Sequence, residues 1–191
     1  MASPQIDPFS GVMEVRLLYS MDLPLPGQFK AWDAGGQPLG CFRRDGPGLR
    51  AFQMNFALED SEGRALLLVR RPAPRHWIRY GGAWAVETPG GERIGELDWS
   101  ARQRATLTLD RGATYSARVP GWSWKGYSIR SGSLPVASIS LPNPFVPRPG
   151  NPGGVRLEIA PGLTGSADHK FLVLLAGFIG VFRPPPGWPQ G

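Results

Sequence analysis

Residues 168–188 read DHKFLVLLAGFIGVFRPPPGW. Twelve of them, Phe171 to Phe182, carry no charge, in a chain otherwise rich in Arg, Gly and Pro. Such a run either enters a bilayer or forms the centre around which the rest of the protein is built. As a helix, twelve residues span roughly 18 Å, whereas a hydrocarbon core is about 30 Å thick and asks for about 20 residues. Extension fails on both sides, because Asp168, His169 and Lys170 precede the run while Arg183 and three prolines follow it. Asp168 at the start and Arg183 at the end also complement a helix dipole, and Pro184 stops the helix. These signals predict a helix over 168–182, although FLVLL alone suits a buried strand pair as well. A helix apolar around its whole circumference must be surrounded by other structure.

The remainder of the chain supplies short strands. Runs of alternating or β-branched character occupy 14–20, 28–33, 38–44, 52–60, 64–71 and 76–87, and further runs occupy 93–99, 105–110, 114–119, 126–131, 134–141 and 155–160. That makes about twelve strands. A barrel of about twelve strands closed around the C-terminal helix satisfies the helix's need for cover and leaves no exposed sheet edge. Gly177 and Gly180, poor helix formers in water, would let strands approach the helix closely. The predicted fold class is therefore mainly β.

The turns repeat one chemistry. WDAGGQPLG (32–40), LEDSEGRALL (58–67), VETPGGERIG (86–95) and LDRGATYSARV (109–119) each end a strand near a polar residue, reverse at Gly and return in an apolar strand. Setting Gly40 against Gly95 gives an offset of 55, and Asp60 against Asp110 gives 50. The chain thus reads as a divergent repeat of hairpin pairs with a partial third copy at YSIRSGSLPVASISL. PNPFVPRPGNPGG (142–154) cannot hold a ladder or a helix, and the 37 residues after it are too few for a second core. Residues 1–191 are therefore taken as one domain, with its core at about 12–183 and a Pro-rich tail at 184–191.

Composition bounds the chemistry. The formal charge is +6 with a pI near 10.1, which favours anionic partners. Nearly all of that charge is Arg, a bias that GC-rich coding produces without any partner. Cys41 is the sole cysteine, so no internal disulfide forms, and its apolar neighbours suit an inert thiol. MASPQIDPFSGVMEV shows neither a signal peptide nor a myristoylation site, which points to a cytoplasmic protein. Two histidines and one cysteine make no metal set, and no nucleophile elbow, phosphate loop or dinucleotide fingerprint occurs. His169 beside Asp168 is read as a helix-entrance cap. The expectation is a protein that is not an enzyme, with no cofactor and no metal.

The order of WDAGGQPLGCFRR, FALEDSEGRALLLVRRP, WAVETPGGERIGELDW, a further strand pair and DHKFLVLLAGFIGVF resembles the phospholipid scramblase and LURP-one-related proteins, over roughly residues 28–183. The resemblance implies their tubby-like fold, a twelve-stranded barrel enclosing a hydrophobic C-terminal helix. It also implies a role at phospholipid membranes, either scrambling or phosphoinositide binding. Lys170 matches a Lys common at the entrance of that family's helix. The acidic segment of calcium-responsive scramblases is reduced here to Asp168 and a remote Glu158, too few oxygen ligands for calcium. The palmitoylated cysteine cluster is absent.

The counterpart of the family's basic lipid surface is RRPAPRHWIRY (70–80), where Arg70, Arg71, Arg75 and Arg79 interleave with His76, Trp77 and Tyr80. Arg forks grip phosphate and aromatics rest at headgroup level. The expected lipid-binding set is Arg70, Arg71, Arg75, Arg79, Trp77 and Lys170. The expected partner is an anionic phospholipid surface, with peripheral membrane association. The alternatives are a scaffold role through Trp-rich loops and the PPPGWP tail (184–189), which could dock a protein partner, or phospholipid scrambling. Nucleic acid is not an expected partner, since barrel cores use aromatics such as those of GWSWKGY (121–127) equally well. If the helix is the core, Leu174→Asp or Leu175→Asp buries an unpaired charge and abolishes the folded near-UV spectrum. A folded variant with that spectrum intact contradicts the central-helix reading.

Overall fold

A computed structural model describes residues 7–19, 29–45, 55–71, 82–100, 104–119, 126–141, 154–163 and 168–182. Twelve strands follow one another: β1 (Glu14–Tyr19), β2 (Phe29–Asp33), β3 (Pro38–Asp45), β4 (Asn55–Asp60), β5 (Ala65–Arg70), β6 (Gly82–Glu87), β7 (Arg93–Ser100), β8 (Arg104–Leu109), β9 (Thr114–Arg118), β10 (Gly126–Ser131), β11 (Leu134–Ser140) and β12 (Gly154–Ile159). A single turn of 3-10 helix, Pro161–Leu163, then leads to the helix α1 (His169–Phe182). Every strand lies on one of the twelve runs read from the sequence. Parts of four of those runs, at 20, 28, 52–54 and 76–81, fall outside the described residues.

Each strand pairs antiparallel with its chain neighbours, and β12 pairs with β1 to close the barrel. Alternation sets which residues face inward. Val15 and Leu17 of β1 are buried while Arg16 is exposed, and Leu157 of β12 is buried between exposed Arg156 and Glu158. Because the sheet is a simple meander, connections alternate between two ends. The short turns after β2, β4, β6, β8 and β10, the residues before β1 and the start of α1 share one end, here the hairpin end. The connections after β1, β3, β5, β7, β9 and β11 and the last turn of α1 share the other, the loop end.

Four hairpins use one turn. The amides of Asp33, Asp60, Thr88 and Leu109 each bond the carbonyl four residues on, and each of their carbonyls accepts the amide three residues on. That second donor is Gly36, Gly63, Gly91 or Gly112, with φ between 79° and 95°. This is a three-residue loop closed by a left-handed glycine, whose twist matches that of the strands. The shared pattern extends to the bulges, which lie between Ala31 and Trp32 in β2 and between Val86 and Glu87 in β6. It also extends to Gly40 and Gly95, where a Cβ would sit 2.0 and 2.5 Å from the carbonyl oxygens of Glu59 and Thr108. Strands β2–β3 therefore repeat as β6–β7 at an offset of 55. In the second hairpin the pairing of Asp60 with Asp110 is corrected by one position. Leu109 makes the turn bonds that Asp60 makes, so the offset is 49, and the amide of Asp110 bonds Ile94 instead.

Twelve strands enclose more space than their own inward side chains fill. α1 occupies that space, and residues 171–180 are buried on every face. The ring of Phe178 meets Trp84 edge-on at 4.9 Å between centroids, Phe56 at 6.0 Å and Trp99 at 6.1 Å. Each large side chain so buried is worth about 2 kcal/mol, against roughly 1 kcal/mol for each mid-helix glycine. The glycines are required by space: a Cβ on Gly177 would lie 2.6 Å from Cγ of Phe42, and one on Gly180 would lie 2.9 Å from Phe29 and Val155.

The hairpin end is closed around the start of α1. Phe9 is fully buried in the mouth, and the turn carrying it is tied by the Phe9 amide donating to Asp7 Oδ1 at 3.0 Å. His169 does not cap the helix as expected. It is the first residue of α1, wholly buried, with Nδ1 3.0 Å from the Phe9 carbonyl oxygen and Nε2 2.8 Å from that of Leu163. It fastens the N-terminal turn and the 3-10 turn to the helix. Asp168 accepts a hydrogen bond from the Tyr115 hydroxyl and pairs with Arg111. Gly177→Ala improves helix propensity yet drives a methyl into the Phe42 ring. It is expected to lower stability by about 1–3 kcal/mol in urea unfolding, and a stabilised variant contradicts the tight helix packing.

Candidate functional site

The carboxylates of the hairpin end are consumed by the turns they build. Asp33 Oδ1 accepts the Gln37 amide at 2.7 Å. Asp60 accepts the amides of Glu62 and Arg64, each at 2.9 Å, and the Arg64 guanidinium at 2.8 Å. Burial pushes the Asp60 carboxyl upward, but the Arg64 side chain and the two amides outweigh it and hold it below its ordinary range. Lys170 also belongs to this end. Its ammonium lies 3.6 Å from Asp7 and 5.7 Å from the centre of the Phe171 ring, so it seats the N-terminal turn on the helix.

Arg70 ends β5 opposite Ala85 in the middle of β6, and Arg71 follows it toward the loop end. Arg70 is half exposed and sits 3.5 Å from Glu87, a loose surface pair of small worth. The Arg71 guanidinium stacks over the indole of Trp84 at 5.2 Å, and its amide bonds Asn55 Oδ1 at 3.0 Å. A cation on the rim is thus packed onto the aromatic core behind it. Arg75, Trp77 and Arg79 lie outside the described residues. Lys170 stands at the hairpin-end start of α1, while Arg70 and Arg71 close β5 on its way to the loop end.

A shallow cavity of about 350 Å³ on the outer wall is lined by Lys30, Trp32, Gly40, Cys41 and Asp60. Its thiol is no nucleophile. Burial, then the charge and hydrogen bond of Glu59, push the Cys41 pKa up to about 12, and the thiol donates to Glu59 Oε2 at 3.4 Å. Arg43 holds the same carboxylate from Nε at 2.8 Å. Among the described residues no group of three or more His, Cys, Asp and Glu comes together, and no helix is long and apolar enough to cross a membrane.

The feature that residue-by-residue reading missed is a polarity between the two ends. The connections of the loop end, together with the tail after α1, contain by sequence Arg50, Arg71, Arg75, Arg79, Arg102, Lys125, Arg148 and Arg183 against a single acid, Asp22. Those of the hairpin end contain Asp7, Glu62, Glu92, Asp110 and Asp168 against Arg64 and Arg111. Four of the seven tryptophans, Trp77, Trp122, Trp124 and Trp188, also belong to the loop-end segments. The signal was available: in a meander, alternate connections share an end, so summing charge over alternate turns reveals it.

No protein-family model matches the chain, and no curated protein matches it. The fold is similar to the X-ray structure of a protein from Arabidopsis thaliana, with a TM-score of 0.59 over 91% of this chain and 94% of that one at 15% identity. At that identity the likeness is one of fold alone. For the hairpin end, a carboxyl held below its ordinary range stabilises the fold above that range, and this contribution fades as pH falls through the folded value. Asp60→Asn is therefore expected to lower stability by about 1 kcal/mol at neutral pH. The two proteins should converge in acid, and a constant difference from neutral pH into acid contradicts the assignment.

Proposed function

We propose that the protein is a non-enzymatic module that binds peripherally to membrane surfaces carrying anionic phospholipid, with the loop end facing the lipid. The feature that carries this reading is the uneven charge, by sequence, of the segments that the meander assigns to its two ends. The loop-end connections and the tail after α1 hold eight cations and one anion, while the chain as a whole carries only +6. Each Lys or Arg near an anionic surface is worth about 1 kcal/mol, so several acting together give stable, salt-sensitive attachment. Tryptophan enrichment in the same segments suits the headgroup layer. The resemblance to scramblase and LURP-one-related proteins supports the same direction, and phosphoinositide-type headgroups, as the most highly charged lipids, are the favoured ligands. Binding of this kind leaves α1 in the barrel, whereas lipid scrambling by α1 would require the helix to give up its aromatic and aliphatic contacts.

Sedimentation with phosphatidylcholine vesicles, with and without anionic lipid and at low and high salt, tests this reading. Binding should require the anionic lipid and weaken with salt. Replacing Arg70, Arg71 and Arg75 by Glu should weaken it by about tenfold or more. Binding that is absent, or indifferent to lipid charge, would remove the proposal.

A further inference from the structure

The repeat of hairpin pairs places one cell of the outer wall twice, and the two copies are filled differently. In the second copy Gly95 lies between Arg93 and Glu96, whose side chains pair with each other at 3.0 Å, and Glu87 stands opposite Arg93. At the offset of 55 the first copy has Pro38, Cys41 and Trp32 in those three places, with Trp32 opposite Pro38. Pro38 and Cys41 are too short to meet over Gly40, and the thiol is turned to Glu59. What remains is the cavity of about 350 Å³, bounded by Trp32 on one side and by Ser61 and Gly63 of the β4–β5 turn on the other.

The groups left over in this cavity select its occupant. The Asp60 carboxylate is taken up by three donors from Glu62 and Arg64, Cys41 by Glu59, and Lys30 is engaged as well. Trp32 is only partly buried, and neither it nor Ser61 makes a side-chain hydrogen bond among the described residues. The cavity therefore offers an aromatic face and donors, while its carboxylate is spent. A sugar ring would stack on the indole, but its several hydroxyls need acceptors. A proline-rich segment needs none, because its rings are apolar, proline has no N–H, and the carbonyls of a polyproline helix are unsatisfied acceptors. Aromatic-lined grooves bind such segments on this basis.

We infer that the occupant is the chain's own Pro-rich tail, PPPGWP at 184–189, laid over the rim as a strap with a proline ring on the Trp32 indole. Helix α1 ends beside the start of β2, since a Cβ on Gly180 would lie 2.9 Å from Phe29. The cavity begins one residue further along β2, at Lys30. From Phe182 to Pro189 a chain in polyproline form covers about 22 Å. From Lys30 to Trp32 the cavity runs only about 7 Å along the strand, so the tail has the length to cross the barrel wall and lie in it. In the second cell Glu87 replaces the indole, and Arg93 with Glu96 stands where the strap would lie. This inference needs no lipid and stands apart from the proposed attachment.

Gln190→Cys in the full-length chain, carrying a nitroxide label, reports where the tail lies. Cys41 stays unlabelled, because its thiol pKa, pushed up to about 12, leaves almost no thiolate near neutral pH. The label should broaden the amide signals of Ser61 and Gly63 several-fold more than those of Asp110 and Gly112, their counterparts in the second cell. Replacing Pro184, Pro185 and Pro186 by Ser should abolish the difference, and so should Trp32→Ala. Equal broadening of the two cells, or a difference that survives either change, overturns the strap. Broadening that passes from labelled to unlabelled copies in a mixed sample also overturns it, since the tail then lies on a second copy.

Discussion

The contact on which the structure depends is the one between α1 and the inner wall of the barrel. Twelve strands closed on themselves leave a lumen too wide for inward side chains to fill, and an apolar helix has no stable place in water. Each solves the other's problem. The fit is close enough that Gly177 and Gly180 cannot carry even a methyl group without meeting Phe42, Phe29 or Val155. The fourteen-residue helix is correspondingly short, reaching from the His169 fastening at one mouth to the region of Phe29 at the other.

A meander closed around such a core has two unlike ends, and this chain uses them differently. At the hairpin end, side chains that could do chemistry are engaged in structure. Asp60 and Asp33 shape their turns, Asp168 receives Tyr115 and Arg111, His169 joins two carbonyls, and Lys170 meets Asp7. At the loop end the connecting segments are basic and rich in tryptophan. With eight of its 21 cations, by sequence, in the loop-end connections and the tail against one acid there, the chain would be oriented by any anionic surface it approaches, which is the physical content of the proposed attachment.

The fold was legible in the sequence because its signals are local. Strand alternation, the recurring polar-x-x-Gly turn and a charge-free run too short for a bilayer each act over a few residues, and together they located all twelve strands and the helix. What was not legible depends on register and on which connections share an end. The one-residue slip between Asp60 and Asp110 arose because the acid is spent at different steps of the two turns. His169 looked like a cap because its partners, Phe9 and Leu163, are supplied by distant or irregular segments.

Native-state hydrogen exchange of the α1 amides tests the central claim most directly. If the helix is the core of the barrel, the amides of Leu172 to Gly180 exchange only through global unfolding, with the same opening free energy as the best protected strand amides, and denaturant shifts both alike. Exchange of the helix amides at a lower free energy than the strands, through an opening in which the barrel persists, would contradict the account.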